Sequence, residues 1–264
     1  MKQLFAALFA AIIFLGCTTR ETPTPKFATV HFYFAPDTEF GAGTAVFEIG
    51  NAKWTIEKAH VVFGEIGIHW DATWAPEQRS FEDERSPRHD VPGGRPAPVI
   101  YDFFAIDLLQ EQHIQQLTVE EGAFDHIHKA AQNTDALSQL GKRVVGIERF
   151  QETLGEGYTF YFSGKVSDGA NERNFVLRSR TPFQENDLED IFFDQVVRDG
   201  EVWEFRLTPR LRHWFAGINI AELQANGNNI TIDGVSGASN LNQLTSFINR
   251  FAGNNSLTLV RIKR

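Results

Sequence analysis

Phe27-Ala28-Thr29-Val30-His31-Phe32-Tyr33-Phe34 alternates without a break. Ala28, Val30, Phe32 and Phe34 fall on one face, and Phe27, Thr29, His31 and Tyr33 on the other. A period of two over eight residues predicts a strand with one buried face, ended by Pro36-Asp37. The same reading extends through the chain. Tyr158 to Val166 and Arg173 to Ser179 flank Ser167-Asp168-Gly169-Ala170-Asn171-Glu172, which predicts a hairpin. Tyr158, Phe160, Phe162 and Val166 share one face of it, and Phe175 and Leu177 pack against a sheet face.

Further strands are predicted over Thr44 to Ile49, Trp54 to His69 and Gly122 to Ala131. Gly64 and Gly67 in the second of these predict a bulge or bend. Val99 to Leu109 is apolar. Ile191 to Val197 and Val202 to Leu207 read as a strand pair turned at Arg198-Asp199-Gly200. Asn229 to Asp233 and Ser256 to Ile262 are β-like. Thr134 to Leu140 reads as a short helix, with helical turns at Pro209 to Phe215 and Ile220 to Gln224. Leu241, Leu244, Phe247, Ile248 and Phe251 have helical spacing, and Gly253 caps that helix. With 24 Phe and 21 Gly in 264 residues, the composition favours sheet. The predicted fold is all-β: a mainly antiparallel, jelly-roll-like β-sandwich over residues 27–264, with a few short helices near the C-terminus.

Residues 71–98 carry many charges, several prolines and little apolar periodicity, and read as a long loop. Loops of this length are uncommon without a function or disorder. Trp70, Trp74 and Tyr101 flank or enter it. Aromatic side chains at a sheet edge can stack on a ligand ring; the alternative is that they fill the core.

Met1-Lys2-Gln3 precedes Leu4 to Gly16, a basic start followed by a short apolar run. This is the pattern of an export signal, too short to span a bilayer core of about 30 Å. Its end, Leu15-Gly16-Cys17, resembles the lipobox of bacterial lipoproteins. The resemblance implies removal of residues 1–16, with lipid on the sulfur and new amino group of Cys17. Thr18 follows Cys17 where an Asp would resemble an inner-membrane retention signal, so the resemblance implies the outer membrane, with the domain facing the periplasm or the surface. Residues 17–26 are polar and Pro-bearing and read as a tether.

Cys17 is the only cysteine and Met1 the only methionine. With Cys17 acylated, disulfides, cysteine nucleophiles and thiolate metal sites are excluded. The net charge of −9 becomes one unit more acidic when Lys2 leaves with the signal. Such a domain is a poor match for nucleic-acid phosphates or anionic lipid heads. A membrane reached through lipid and an envelope protein are the partners left.

Two stretches resemble MbnP-like periplasmic domains and related lipoprotein domains of unknown function. They are Trp54-Thr55-Ile56-Glu57-Lys58-Ala59-His60-Val61-Val62-Phe63-Gly64-Glu65-Ile66, and Asp107-Leu108-Leu109 followed by Val119-Glu120-Glu121-Gly122-Ala123-Phe124-Asp125-His126-Ile127. A weaker echo is Phe205-Arg206-Leu207-Thr208-Pro209 with Trp214-Phe215 and Ile220-Ala221-Glu222-Leu223. The resemblance implies a sandwich. The Trp-x-His element of copper-associated relatives is absent, so it does not carry copper with it.

Among chemical sites, His126 and His128 form the sharpest pair. At i and i+2 on a strand they share a face, and imidazole suits Cu and Zn. A third ligand would come from another strand histidine: His31, His60 or His69. The resembling pattern sets Phe124 and Ile127 in the core three residues apart, which predicts a bulge able to turn His126 away from His128. Glu185, Asn186, Asp187, Glu189, Asp190 and Asp194 offer hard oxygens to Ca²⁺, without the loop spacing that would make them specific. The motifs of zinc proteases, serine hydrolases and nucleotide-binding loops are missing. The sequence therefore reads as a lipid-anchored, non-catalytic envelope protein that binds a small ligand, a metal or a partner. Alternatives are a copper- or zinc-binding protein using His126 and His128, and a carboxylate-based hydrolase.

Overall fold

The alternation of Phe27–Phe34 becomes strand β1, with Ala28, Val30, Phe32 and Phe34 buried. The structure, a computed structural model, describes residues 26–37, 39–40, 42–70, 99–182, 191–235, 239–253 and 256–264. The described residues are mainly β, with short helices. After β1 come β2 (Ala45–Ile49), β3 (Ala52–Trp70), β4 (Val99–Asp107), β5 (Gln112–Glu120), β6 (Gly122–Ala131) and β7 (Val144–Val145). Then follow β8 (Phe160–Ser167), β9 (Glu172–Ser179), β10 (Ile191–Val197), β11 (Val202–Pro209), β12 (Ala225–Asn226), β13 (Asn229–Ile232) and β14 (Leu257–Lys263).

Two sheets result. The smaller has the order β14-β11-β1-β5. The larger runs β10-β6-β3-β8-β9-β13-β12, with β2 and β4 also on β3 and β7 on β4. The sheets are mixed: β1 with β11, β9 with β13 and β4 with β7 are parallel. The 19-residue β3 makes the larger sheet possible by changing neighbours along its length. Its first half lies between β2 and β8, and its second half between β4 and β6.

A bulge at the change of neighbours also changes which residues of β3 face the core. Before it, Ala59, Val61 and Phe63 enter the main core; after it, Ile66 and Ile68 do. The register shifts between Gly64 and Ile66 against β4, and between Gly64 and Gly67 against β6. One inserted residue inverts the phase of a strand, as the two glycines led one to expect.

The main core joins both sheets through aromatic rings. Phe34 of β1 stacks on Phe63 of β3 across the sheets at 5.2 Å, while within the smaller sheet Phe32 meets Phe205 edge-on at 5.6 Å. The helices Leu211–Phe215 and Leu241–Ala252 add Trp214, Phe215, Phe247 and Phe251 to it. Trp214 is fully buried, and its indole N–H donates to the Ser256 carbonyl at 2.8 Å, removing the cost of an unpaired donor. A second, smaller core lies on the other face of β3 and β4. Val62, Phe103 and Ala105 meet Leu137, Val144, Leu154 and Tyr158 there.

Four sequence expectations change. β10 and β11 are not a hairpin: β10 pairs with β6 in the larger sheet, and β11 with β1 and β14 in the smaller. The turn at Arg198-Asp199-Gly200 crosses between sheets. β5 was not predicted, because as an edge strand it buries only Ile114 and Val119. Tyr158 belongs to the second core, away from Phe160 and Phe162. The short helices are not confined to the C-terminal part: the expected helix at Thr134–Gln139, capped by Asn133 accepting from the Ala136 N–H at 2.7 Å, is joined by an unpredicted one at Gln151–Leu154, and both cover the second core.

Candidate functional site

The site begins with the phase of β6. Phe124 and Ile127 are both in the main core although three residues apart. The register explains it: Trp70 pairs with Phe124 and His69 with His126, so one step on β3 answers two on β6 and Asp125 is the extra residue. From there the ladder is regular, with His126 opposite His69, Ile127 opposite Ile68 and His128 opposite Gly67. The bulge thus lies ahead of the pair. It does not separate His126 from His128, which occupy one face on either side of Ile127. Across the other edge of β6, His126 pairs with Phe192. The backbone of these positions is described; the side chains of His69, His126 and His128 lie outside the described residues.

His31 is not brought to this pair. It is on β1 in the smaller sheet and faces His113 of β5, with His31 Nδ1 3.5 Å from His113 Nε2. The Tyr33 ring lies 4.9 Å from that of His113, and the Arg206 guanidinium sits over Tyr33 at 5.1 Å. The partnership of His31 with His113 was not visible in the sequence, because β5 carries no clear alternation.

His60 is committed elsewhere. Its Nδ1 lies 2.8 Å from Thr153 Oγ1, and that hydroxyl donates to the Phe150 carbonyl at 3.1 Å. With the hydroxyl proton so placed, the ring N–H donates to Thr153 Oγ1. Burial lowers the His60 pKa, opposed by Asp107, its cross-strand partner.

The carboxylates best defined by geometry are ion-paired. Glu204 accepts from Arg264 Nε at 2.7 Å, and from Arg206 Nε and Nη2 at 3.1 and 3.0 Å. Arg206 Nη1 also reaches Glu111 at 2.7 Å. The hydrogen bond from Arg264, ahead of that from Arg206, holds the Glu204 pKa down. Glu201 accepts from Lys263 Nζ at 2.5 Å and Trp203 Nε1 at 2.9 Å, and is held down to about 2. Carboxyls kept ionised this way cannot donate a proton as a general acid at neutral pH.

Trp70 ends β3 with its backbone opposite Phe124, and Tyr101 follows core residue Ile100 on β4. Their side chains, all of Trp74, and the loop 71–98 lie outside the described residues, as do Cys17 and the acidic run Glu185, Asn186, Asp187, Glu189 and Asp190. Asp194 of that group is described and exposed. Among the described residues no group of three or more His, Cys, Asp or Glu side chains is placed to hold a metal ion. No described helix is long and apolar enough to cross a membrane. No family model, curated protein or solved structure matches the chain.

Proposed function

We propose that this is a lipid-anchored, non-catalytic protein of the bacterial envelope that binds a transition-metal ion, copper or zinc, on the His126–His128 strand. The observation that carries the metal reading is the unbroken register of residues 126–128 behind the bulge at Asp125. It keeps two imidazole-bearing positions in phase on one sheet face. Imidazole is the softest donor left to a chain whose only cysteine is acylated.

The two sheets, joined over one aromatic core, are in this account the layers of a jelly-roll-like sandwich. The lipobox-like Leu15-Gly16-Cys17 supplies the anchor and the outer membrane the location. Two or more acyl chains make such anchoring durable. The internal pairing of Glu201 and Glu204 weighs against the hydrolase alternative.

Two measurements test this reading. Cys17→Ala should release the folded protein from the membrane fraction; retention in the pellet after a salt wash contradicts the anchor. Equilibrium dialysis of the detergent-solubilised protein against Zn²⁺ or Cu²⁺ should retain about one equivalent, as a single histidine site requires. No retained metal contradicts the metal reading.

A further inference from the structure

Two arginines meet on one tyrosine at the edge of the second core. Leu177 and Ser179 of β9 are buried, so Arg178 and, one residue past the strand end, Arg180 take the opposite face. Their guanidinium carbons lie 4.9 and 5.1 Å from the centre of the same ring, that of Tyr158. The backbone around them is pinned. The Arg180 carbonyl accepts from Asn133 Nδ2 at 2.9 Å, Thr159 Oγ1 donates to the Thr181 carbonyl at 2.8 Å, and the Thr159 N–H donates to the Ser179 carbonyl at 2.7 Å.

The counter-charge supplied to this pair is small. Asp233 Oδ2 is 3.5 Å from Arg178 Nη2, a long contact, and Asp233 Oδ1 accepts instead from the Val235 N–H at 3.3 Å. Arg178 Nε is buried and bonded to nothing. The Arg180 side chain is exposed and, Tyr158 apart, makes no ion pair or hydrogen bond among the described residues. Each guanidinium carries five N–H donors, and the two together meet one carboxylate oxygen. The contrast is with Arg206 and Arg264, which share Glu204 at 3.0 and 2.7 Å. Like charges held on one ring with an unbonded donor between ring and strand favour an anion.

We propose that Arg178 and Arg180 form a binding site for a tetrahedral oxyanion, a phosphate group either free or carried on a small molecule. Successive same-face positions of a strand are about 6.6–6.8 Å apart, so the two forks approach from different directions. A tetrahedral anion offers oxygens in more than one plane to meet them, whereas a planar carboxylate is matched by a single fork. Nε of Arg178 is shielded as it stands and reaches the anion by a turn of the side chain, which also ends its unbonded state. The site needs neither the lipid anchor nor the metal on β6.

The test uses the full-length protein in detergent, in phosphate-free buffer of low ionic strength with a chelator present so that no metal contributes. Inorganic phosphate, glycerol phosphate and acetate are titrated calorimetrically into the wild type, Arg178→Gln, Arg180→Gln and, as a control, Arg212→Gln, an exposed arginine paired with Glu39. Thermal unfolding checks each variant; Arg180 is exposed, so its variant reports even if Arg178→Gln does not fold. The wild type should bind about one equivalent of phosphate, more weakly as NaCl is added. Arg180→Gln should bind at least about tenfold more weakly, as loss of a hydrogen bond to a charged group requires, and Arg212→Gln should match the wild type. Acetate should bind at least about tenfold more weakly than phosphate. The tighter of free phosphate and ester names the source. A wild type that binds neither, a folded Arg180→Gln with wild-type affinity, or acetate bound as tightly as phosphate overturns the proposal.

Discussion

Phe34 of the smaller sheet stacks on Phe63 of the larger at 5.2 Å with ring planes 8° apart. Both side chains are buried, and each lies on a strand central to its own sheet. The pair is therefore a direct link between the two sheets. Truncating either ring, Phe34→Ala or Phe63→Ala, is predicted to cost about 3–5 kcal/mol in denaturant unfolding. In a double-mutant cycle the two should couple by about 0.5–1.5 kcal/mol. Additive losses would mean that the rings stabilise their sheets separately.

Gly164 on β8 is predicted to tolerate no side chain. It pairs with Ile56 at a bulge of β3, and an added Cβ would overlap the carbonyl oxygen of Thr55. Backbone cannot yield there as a flexible side-chain tip can. Gly164→Ala should destabilise by more than the roughly 1–3 kcal/mol of ordinary overpacking. Gly169→Ala, whose Cβ would meet nothing within 4 Å but sits at φ +90°, should cost about 1–3 kcal/mol from backbone strain alone. Equal losses at the two sites would contradict the account of the β3–β8 bulge.

Acid should weaken the protein through Glu201. Its folded pKa is depressed, from 4.5 to about 2, chiefly by the hydrogen bond from Lys263 and then that from Trp203. A depressed carboxylate contributes stability that is complete above its unfolded pKa and is lost as pH falls through the folded one. The window is thus about pH 4.5 down to 2. Glu201→Gln should lower the melting temperature at pH 7 and flatten its fall across that window. An unchanged slope would show that other groups govern the acid limb.

The strands with one buried face were legible because burial writes itself as alternation. Phe27–Phe34 and Gly122–Ala131 were read with the bounds the structure gives them. Gly64 and Gly67 marked the bend in β3 for the same local reason. What the chain does next in space was not legible. Arg198-Asp199-Gly200 looks like a hairpin turn, and only the pairing of β10 with β6 and β11 with β1 shows that it joins two sheets. The edge strand β5 carries too few buried residues to reveal itself. At the site, the i, i+2 spacing of His126 and His128 was visible, and His69 was one strand histidine among three. Its place opposite His126 depends on the register of strands about 57 residues apart, which no local pattern encodes.

Calorimetric titration of Zn²⁺ into the detergent-solubilised protein at neutral pH tests the metal reading most directly, with His126→Ala/His128→Ala and His31→Ala/His113→Ala run beside the wild type. The wild type and the His31/His113 variant should each bind about one equivalent with the same affinity, because that pair belongs to the other sheet. The His126/His128 variant, folded by its unfolding curve, should bind none. Binding that survives in the His126/His128 variant, or a wild type that takes up no zinc, would contradict it.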